Sequence, residues 1–242
     1  MAAPVRDQWL SEVAGFECLR LDPADAAASA WAGQVRSQAA FVYCKVPVLE
    51  IAQVKALSSS GLYVVDTNVT LEVRGAVVPG PAIDGVEVRG AEREDHADAQ
   101  RIAGNAFVFS RFHLDPLVAP ELAHRIKREW IRSYCEGRRG ECLLVARRQG
   151  RVVGFLAVLT VENGGRKVAV IDLIAVDGES RGQGIGGALV RHFLHQWRGC
   201  DVLRVGTQVA NAASLRLYQQ CGFVVAESSY VMHGHLKGGK VL

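Results

Sequence analysis

Four of the chain's 25 glycines fall within Gly182–Gly187. They follow the apolar run KVAVIDLIAV and precede the amphipathic stretch ALVRHFL. Glycines at the start of a helix leave backbone N–H groups free and unobstructed. Together with the helix dipole, these donors make a site suited to a diphosphate. A tight turn between strand and helix is the plain alternative. Gly182-x-Gly184-x-x-Gly187 also satisfies the dinucleotide pattern G-x-G-x-x-G, with Asp201 near the acidic offset. Against that pattern, the motif comes late, after a meander that reads as antiparallel. Too few β-α units remain to build a doubly wound sheet.

Other residue types exclude chemistry rather than suggest it. His192 and His195 stand at i, i+3 with no third ligand in view, so they read as surface histidines and no metal is expected. Cys18, Cys44, Cys135, Cys142, Cys200 and Cys221 form no C-x-x-C pair, which fits reduced thiols in a cytoplasmic protein. The N-terminal MAAPVRDQWLSE lacks a basic region followed by an apolar run, so no signal peptide is read there. Every apolar stretch is short, so no membrane span is expected. With 28 basic and 25 acidic residues, the net charge of +3 is too balanced for a nucleic-acid binder.

The elements that must hold the glycine turn read clearly from Val86 onward. VEVR is a short strand, and Glu92–Phe107 is a helix with an acidic first turn. FVFSRFHLDPLVAP is a polar and aromatic loop. From Pro120 a helix places Leu122, Ile126, Trp130 and Tyr134 on one face. A hairpin turns at Gln149-Gly150, followed by a strand over Lys167–Val176 and a helix over Gly184–Trp197. Val202–Val209 is a strand, Ala212–Gln220 a helix, and FVVAESSYVM the closing strand. Before Val86 the pattern is weaker. Trp31, Val35, Gln38 and Val42 stand at helical spacing, and VLEIAQVKALSS after Pro47 reads as a helix. Strands are expected near Leu62–Val65 and over TNVTLEV. The Pro- and Gly-rich RGAVVPGPAIDG then serves as a linker, dividing the chain into domains of residues 1–82 and 83–242.

Arg181-x-x-Gly184-x-Gly186 resembles the pyrophosphate signature of the GCN5-related N-acetyltransferase (GNAT) superfamily, Gln/Arg-x-x-Gly-x-Gly/Ala. Asn211, Tyr218, Gly222 and Phe223 resemble its closing motif, Asn-x(6)-Tyr-x(3)-Gly-Phe. LIAVDGESRG resembles the end of its central strand, and VEVRGAEREDHADAQRIAGNAF its first strand and helix. The resemblance runs from about Val86 onward in the right element order. It implies an α/β (α+β) GNAT fold, a mixed and mostly antiparallel sheet flanked by helices, beside a smaller N-terminal α/β domain. It also implies an acetyl-CoA-dependent N-acetyltransferase working by direct transfer through a tetrahedral intermediate. Leu173, Ile174, Ala175 and Val176 would bond the pantetheine arm and acetyl carbonyl. Arg181, Gly182, Gln183, Gly184, Ile185 and Gly186 would hold the pyrophosphate, and Asn211 would lie beside the arm.

Tyr218 matches the tyrosine that protonates the departing thiolate. A phenol with a pKa of about 10 stays protonated for that task; an aromatic packed on a helix face is the competing reading. For the base, Asp172 lies four residues before Val176 and on the same strand face by alternation. His113 and Glu162 are further candidates, and deprotonation through water needs no residue at all.

The segment from Ala106-Phe107 through Ser110-Arg111-Phe112 to Trp130, with Thr207-Gln208 leading to Asn211, resembles bacterial dTDP-amino-sugar N-acetyltransferases of surface-polysaccharide assembly. It implies a dTDP-amino sugar as partner substrate, with Ser110, Arg111, Phe112, His113, Thr207 and Gln208 in the acceptor site. Members of the superfamily often pair as homodimers. The stripe His124, Arg125, Arg128 and Arg132 reads as a solvated face. A polyamine, aminoglycoside or protein amine as acceptor, or a non-catalytic acetyl-CoA-binding module, are the other readings. A cationic acceptor would favour an acidic pocket, whereas this loop is basic or neutral.

Overall fold

Among the described residues, runs of β-branched and apolar residues, broken by glycine and polar turns, build eleven strands joined in one sheet. The computed structural model describes residues 4–25, 30–35, 37–73 and 84–242. The linker expected at 74–85, and with it the 82/83 boundary, lies almost wholly outside them. In chain order the elements are β1 (Val5–Arg6), α1 (Gln8–Ala14), β2 (Glu17–Arg20), α2 (Trp31–Gln34), β3 (Ala39–Pro47), α3 (Ile51–Ser59) and β4 (Tyr63–Val73). Then come β5 (Glu87–Gly90), α4 (His96–Asn105), α5 (Arg111–Leu114), α6 (Pro120–Cys135), β6 (Cys142–Arg148), β7 (Arg151–Asn163) and β8 (Arg166–Val176). The remainder is α7 (Ile185–Gln196), β9 (Val202–Gln208), α8 (Ala212–Gln220), β10 (Val224–Lys237) and β11 (Lys240–Val241).

The sheet order is β1-β2-β3-β10-β4-β9-β8-β7-β6-β5, with β11 beside β10. Among the described residues, only β2–β3 and β8–β9 are parallel. This is the mixed, mostly antiparallel sheet that the motifs imply. The sheet runs straight across the expected domain division, because β10 pairs with both β3 and β4.

Alternation along the strands feeds two cores. On one face, Leu144, Leu156, Ile171 and Val205 pack against Ile185, Leu189 and Phe193 of α7. On the other, Val145, Phe155, Ala157 and Ala175 pack against Ile102 of α4 and Ile131 of α6. Beneath β3, a third core gathers Trp31, Val42, Leu57 and Met232. Gly154 lets α7 approach closely, since a Cβ there would meet the side chains of Ile185 and Leu189 at 3.3 Å. The β6–β7 hairpin turns at Gln149-Gly150 with φ of 49° and 78°, the left-handed pair that a two-residue turn needs.

Several expectations change. Val42 lies on β3, not on a helix: its neighbours Phe41, Val42, Tyr43 and Cys44 alternate between two cores and pair with β10. The two strands expected around Leu62–Val65 and TNVTLEV are one strand, β4. The expected loop after Phe107 contains α5. The closing strand continues past Met232 to Lys237, because His233 and His235 face inward and stay in register with β3.

Candidate active site

Strands β8 and β9 are paired only from Val168–Ile171 against Val202–Val205. Beyond those residues they part. Leu173–Val176 keeps its partners on β7, and Gly206–Gln208 keeps its partners on β4. Between the two lie strand edges facing an opening, the place where an extended ligand can add itself to the sheet. Leu173, Ile174, Ala175 and Val176 line one side, and Thr207 and Gln208 the other.

The glycine turn stands at the end of β8. Gly182 and Gly184 have φ of 74° and 78°, conformations that a side chain would strain. Gly184 caps α7, whose first turn leaves backbone N–H groups without helical partners. Gly186 sits against Leu217 of α8, where a Cβ would come within 3.2 Å. Ile185 is buried, so it would offer a ligand its backbone alone. The Gln183 side chain is taken up by the Glu179 carbonyl and by Arg148. Arg181 Nη2 donates to the Ala106 carbonyl at 2.7 Å, tying the glycine turn to the loop after α4.

Asn211 caps α8, its Oδ1 accepting the Ser214 N–H at 3.2 Å. Tyr218, about two helix turns further on, is only 2% exposed and packs beside Phe223 at 5.8 Å between ring centroids. Burial raises its pKa well above the usual phenol value, so the group stays protonated at neutral pH.

A β-bulge re-aims Asp172. Ala157 pairs with Leu173 and Val158 with Ile171, leaving Asp172 as the extra residue. The bulge breaks the alternation: Asp172 and Leu173 face α6, whereas Val176 faces α7. Asp172 and Val176 therefore do not share a face. The Asp172 carboxylate accepts from Trp130 Nε1 at 2.7 Å, Tyr134 OH at 2.8 Å, and Arg139 Nε and Nη2 at 2.8 and 3.1 Å. Four donors leave it little capacity to act as a base. Glu162 is exposed at the far end of the β7–β8 hairpin, opposite Lys167, away from the parted strands. His113 shares a 2.6 Å hydrogen bond with Ser110 Oγ, and its Nε2 lies 3.4 Å from His124 Nδ1. Burial, then His124 and Lys127, push its pKa down to about 4.

The Ser110–His113 loop turns partly inward. Phe112 is buried among Phe41, Ile126 and Leu10. The Arg111 guanidinium lies 3.8 Å from the centre of the Tyr43 ring and 4.4 Å from that of Phe112. Arg125, Arg128 and Arg132 are exposed, as a solvated stripe requires.

The polar residues that sequence reasoning missed lie on the same face of the sheet. Lys45 Nζ donates to Asn68 Oδ1 at 3.1 Å, and Asn68 Nδ2 donates to the Thr207 carbonyl at 3.0 Å. Asp66 is buried with Oδ2 unpartnered, and burial pushes its pKa up to about 6. Lys127 is buried between Phe107 and Trp130, its Nζ 4.9 Å from each ring centre. It interrupts an otherwise apolar helix face beside Ile126, and that interruption was its sequence signal. Asp115, His233 and His235 form a further buried cluster. Asp115 Oδ2 lies 2.6 Å from His233 Nδ1 and 2.9 Å from His235 Nε2, and Oδ1 accepts from Tyr63 OH at 2.6 Å.

Comparison with known proteins fits this architecture. The profile described as "Acetyltransferase (GNAT) family" matches residues 109–223. The chain is 30% identical over 134 residues to the spore coat polysaccharide biosynthesis protein SpsD of Bacillus subtilis, covering 54% of this chain and 45% of that one. It is 26% identical over 196 residues to a dTDP-fucosamine acetyltransferase of Escherichia coli, covering 79% of this chain and 80% of that one. Its match thus spans less than half of the Bacillus relative. Among solved structures, a GCN5-related N-acetyltransferase from Kribbella flavida superposes with a TM-score of 0.60 at 15% identity, covering 96% of this chain and 88% of that one. The parted parallel strands, the glycine turn and the matched profile agree: the chain carries an acetyltransferase domain of the GNAT family, with the GNAT fold.

Proposed function

We propose that this protein transfers the acetyl group of acetyl-CoA to the amino group of a dTDP-linked amino-deoxy sugar, in the assembly of a surface polysaccharide or related glycan. The observation that carries the transfer is the parting of β8 from β9, with the glycine turn at the end of β8. The choice of acceptor is supported by the relatives, one a dTDP-fucosamine acetyltransferase and one a polysaccharide biosynthesis protein. The cations set in aromatic surroundings, Arg111, Lys127 and Arg139, suit an anionic acceptor and disfavour a polyamine.

Acetyl-CoA supplies an activated thioester. The backbone amides of Gly182–Gly187 donate to its pyrophosphate, and the open edge of Leu173–Val176 pairs with its pantetheine arm. The acceptor amine adds to the thioester carbonyl, forming the C–N bond in a tetrahedral intermediate whose collapse breaks the C–S bond. Tyr218 gives its proton to the leaving sulfur and is reprotonated from solvent, and the amine loses its proton to water. Asp172, saturated by its four donors, serves to hold Trp130 and Arg139 in place. The segment 1–82 contributes the acceptor-side wall through Tyr43, Lys45, Asp66 and Asn68. Six free thiols suit a cytoplasmic enzyme, and among the described residues no helix is long and apolar enough to cross a membrane.

Incubation with acetyl-CoA and a panel of dTDP- and UDP-amino sugars, read by free thiol release, tests this. Turnover with a dTDP-amino sugar well above that with free amino sugars is expected. Turnover with none of the sugar nucleotides would overturn the acceptor assignment.

A further inference from the structure

Lys127 lies in the middle of α6 and is only 7% exposed. Among the described residues its ammonium donates no hydrogen bond and forms no ion pair; its contacts are the faces of Phe107 and Trp130. The stem is buried while the ammonium finds no acceptor in the chain, which leaves a charge in a largely desolvated setting without compensation. The nearby carboxylate cannot relieve it, because Asp172 is committed to Trp130, Tyr134 and Arg139. Arg111 and Arg139 add charge of the same sign to its surroundings. Two cations and one committed carboxylate thus surround the Lys127 ammonium.

We infer that Lys127 receives the negative charge of the acetyl acceptor, its ammonium bonding a phosphate oxygen of the nucleotide-linked sugar in the slot between Phe107 and Trp130. The inference rests on the reading of the acceptor as a sugar nucleotide. The slot has the two properties such a group needs. One is a charged donor with no acceptor in the chain. The other is a dry aromatic wall that strengthens the charge interaction by excluding water. Burial, with Arg111, lowers the Lys127 pKa to about 8, so an arriving phosphate would also draw the amine fully into its charged form. The exposed arginines on the outer face of α6 have none of this setting. Arg132, for example, is engaged with Glu129 and Glu136.

The test is the affinity of the full chain for dTDP, measured by calorimetry on wild type, Lys127→Met and Lys127→Arg. Methionine keeps the length and removes the charge; arginine keeps the charge. The expected result is dTDP binding about tenfold to a hundredfold weaker in Lys127→Met, with partial rescue in Lys127→Arg and unchanged affinity for acetyl-CoA. A melting temperature equal to or above that of wild type would show that the methionine variant is folded. In turnover assays the KM for the dTDP-amino sugar should rise while kcat holds. Wild type and Lys127→Met binding dTDP equally well would overturn the role of Lys127 and leave the acceptor reading intact. Wild type failing to bind dTDP at all would overturn both.

Discussion

Trp130 and Asp172 are joined across the helix–sheet boundary: the indole Nε1–H donates to the carboxylate at 2.7 Å, from the middle of α6 to the bulge of β8. The bond fixes the wall of the candidate acceptor slot to the strand that lines the opening. Arg139 completes the arrangement, lying over the Trp130 ring at 4.5 Å while pairing with the same carboxylate.

Replacing Asp172 with asparagine therefore tests two roles at once. Asparagine cannot accept from all four donors, so we expect a loss of about 2 kcal/mol of stability in denaturant melts. We also expect a kcat within about tenfold of wild type and an unaltered acid limb of the pH–rate profile. A kcat reduced about a thousandfold at unchanged stability would mark Asp172 as the base after all.

Tyr218→Phe removes one hydroxyl from a buried ring. The kcat should fall about a hundredfold while the affinity for acetyl-CoA, read by calorimetry, stays the same. Preserved turnover would assign the proton transfer to another group.

Gly184→Ala places a Cβ on a residue at φ 78° that caps α7. The left-handed conformation costs a non-glycine residue about 1 kcal/mol, and the methyl group stands where a phosphate must approach. Weaker acetyl-CoA binding by about tenfold is expected, with a KM for the amine that barely moves. Equal affinity in the two proteins would separate this turn from the pyrophosphate.

The cluster of Asp115, His233 and His235 predicts acid sensitivity. Hydrogen bonds from His233, His235 and Tyr63 outweigh burial and hold the Asp115 carboxyl far below its usual range, so its contribution is present above about pH 4 and lost below it. Burial pushes the His233 pKa down to about 4, so the folded protein keeps that ring neutral. Its contribution is complete above about pH 6.5 and fades as pH falls toward 4. Both act in one direction. The melting temperature should drop from about pH 7.5 to about pH 4.5 as buried His233 takes up a proton, and His233→Gln should lower it at pH 7.5 while shrinking the drop. An unchanged drop in the variant would separate acid sensitivity from this cluster.

Periodicity and turn chemistry made the catalytic half of the fold legible. The boundaries of α8 follow from its Asn211 cap and the glycine after Cys221, and the β6–β7 turn from Gln149-Gly150. The other half depends on pairing that no local pattern carries. Phe41-Val42-Tyr43-Cys44 is apolar in every position, which suits a helix or a strand, and only β10 decides the matter. Asp66, Thr67 and Asn68 interrupt the apolar run of β4, so one strand reads as two; in the folded chain Asp66 and Asn68 belong to the polar face near the opening. The side of the sheet that Asp172 takes depends on a one-residue bulge, invisible to a period of two. Lys127 was legible only as an anomaly, a lysine beside Ile126 on a face otherwise apolar.

Strand β10 lies between β3 and β4, with Tyr43 opposite His233, about 190 positions later in the chain. During synthesis the pairing of β10 with β3 and β4 can therefore form only once nearly the whole chain has emerged. Loop closure on that scale is slow, and two unpaired edges stay open meanwhile. The wall built from Tyr43, Lys45, Asp66 and Asn68 is thus among the last parts to take shape. Shortening β10 would remove the partner that β3 and β4 share, and with it the wall proposed for the acceptor.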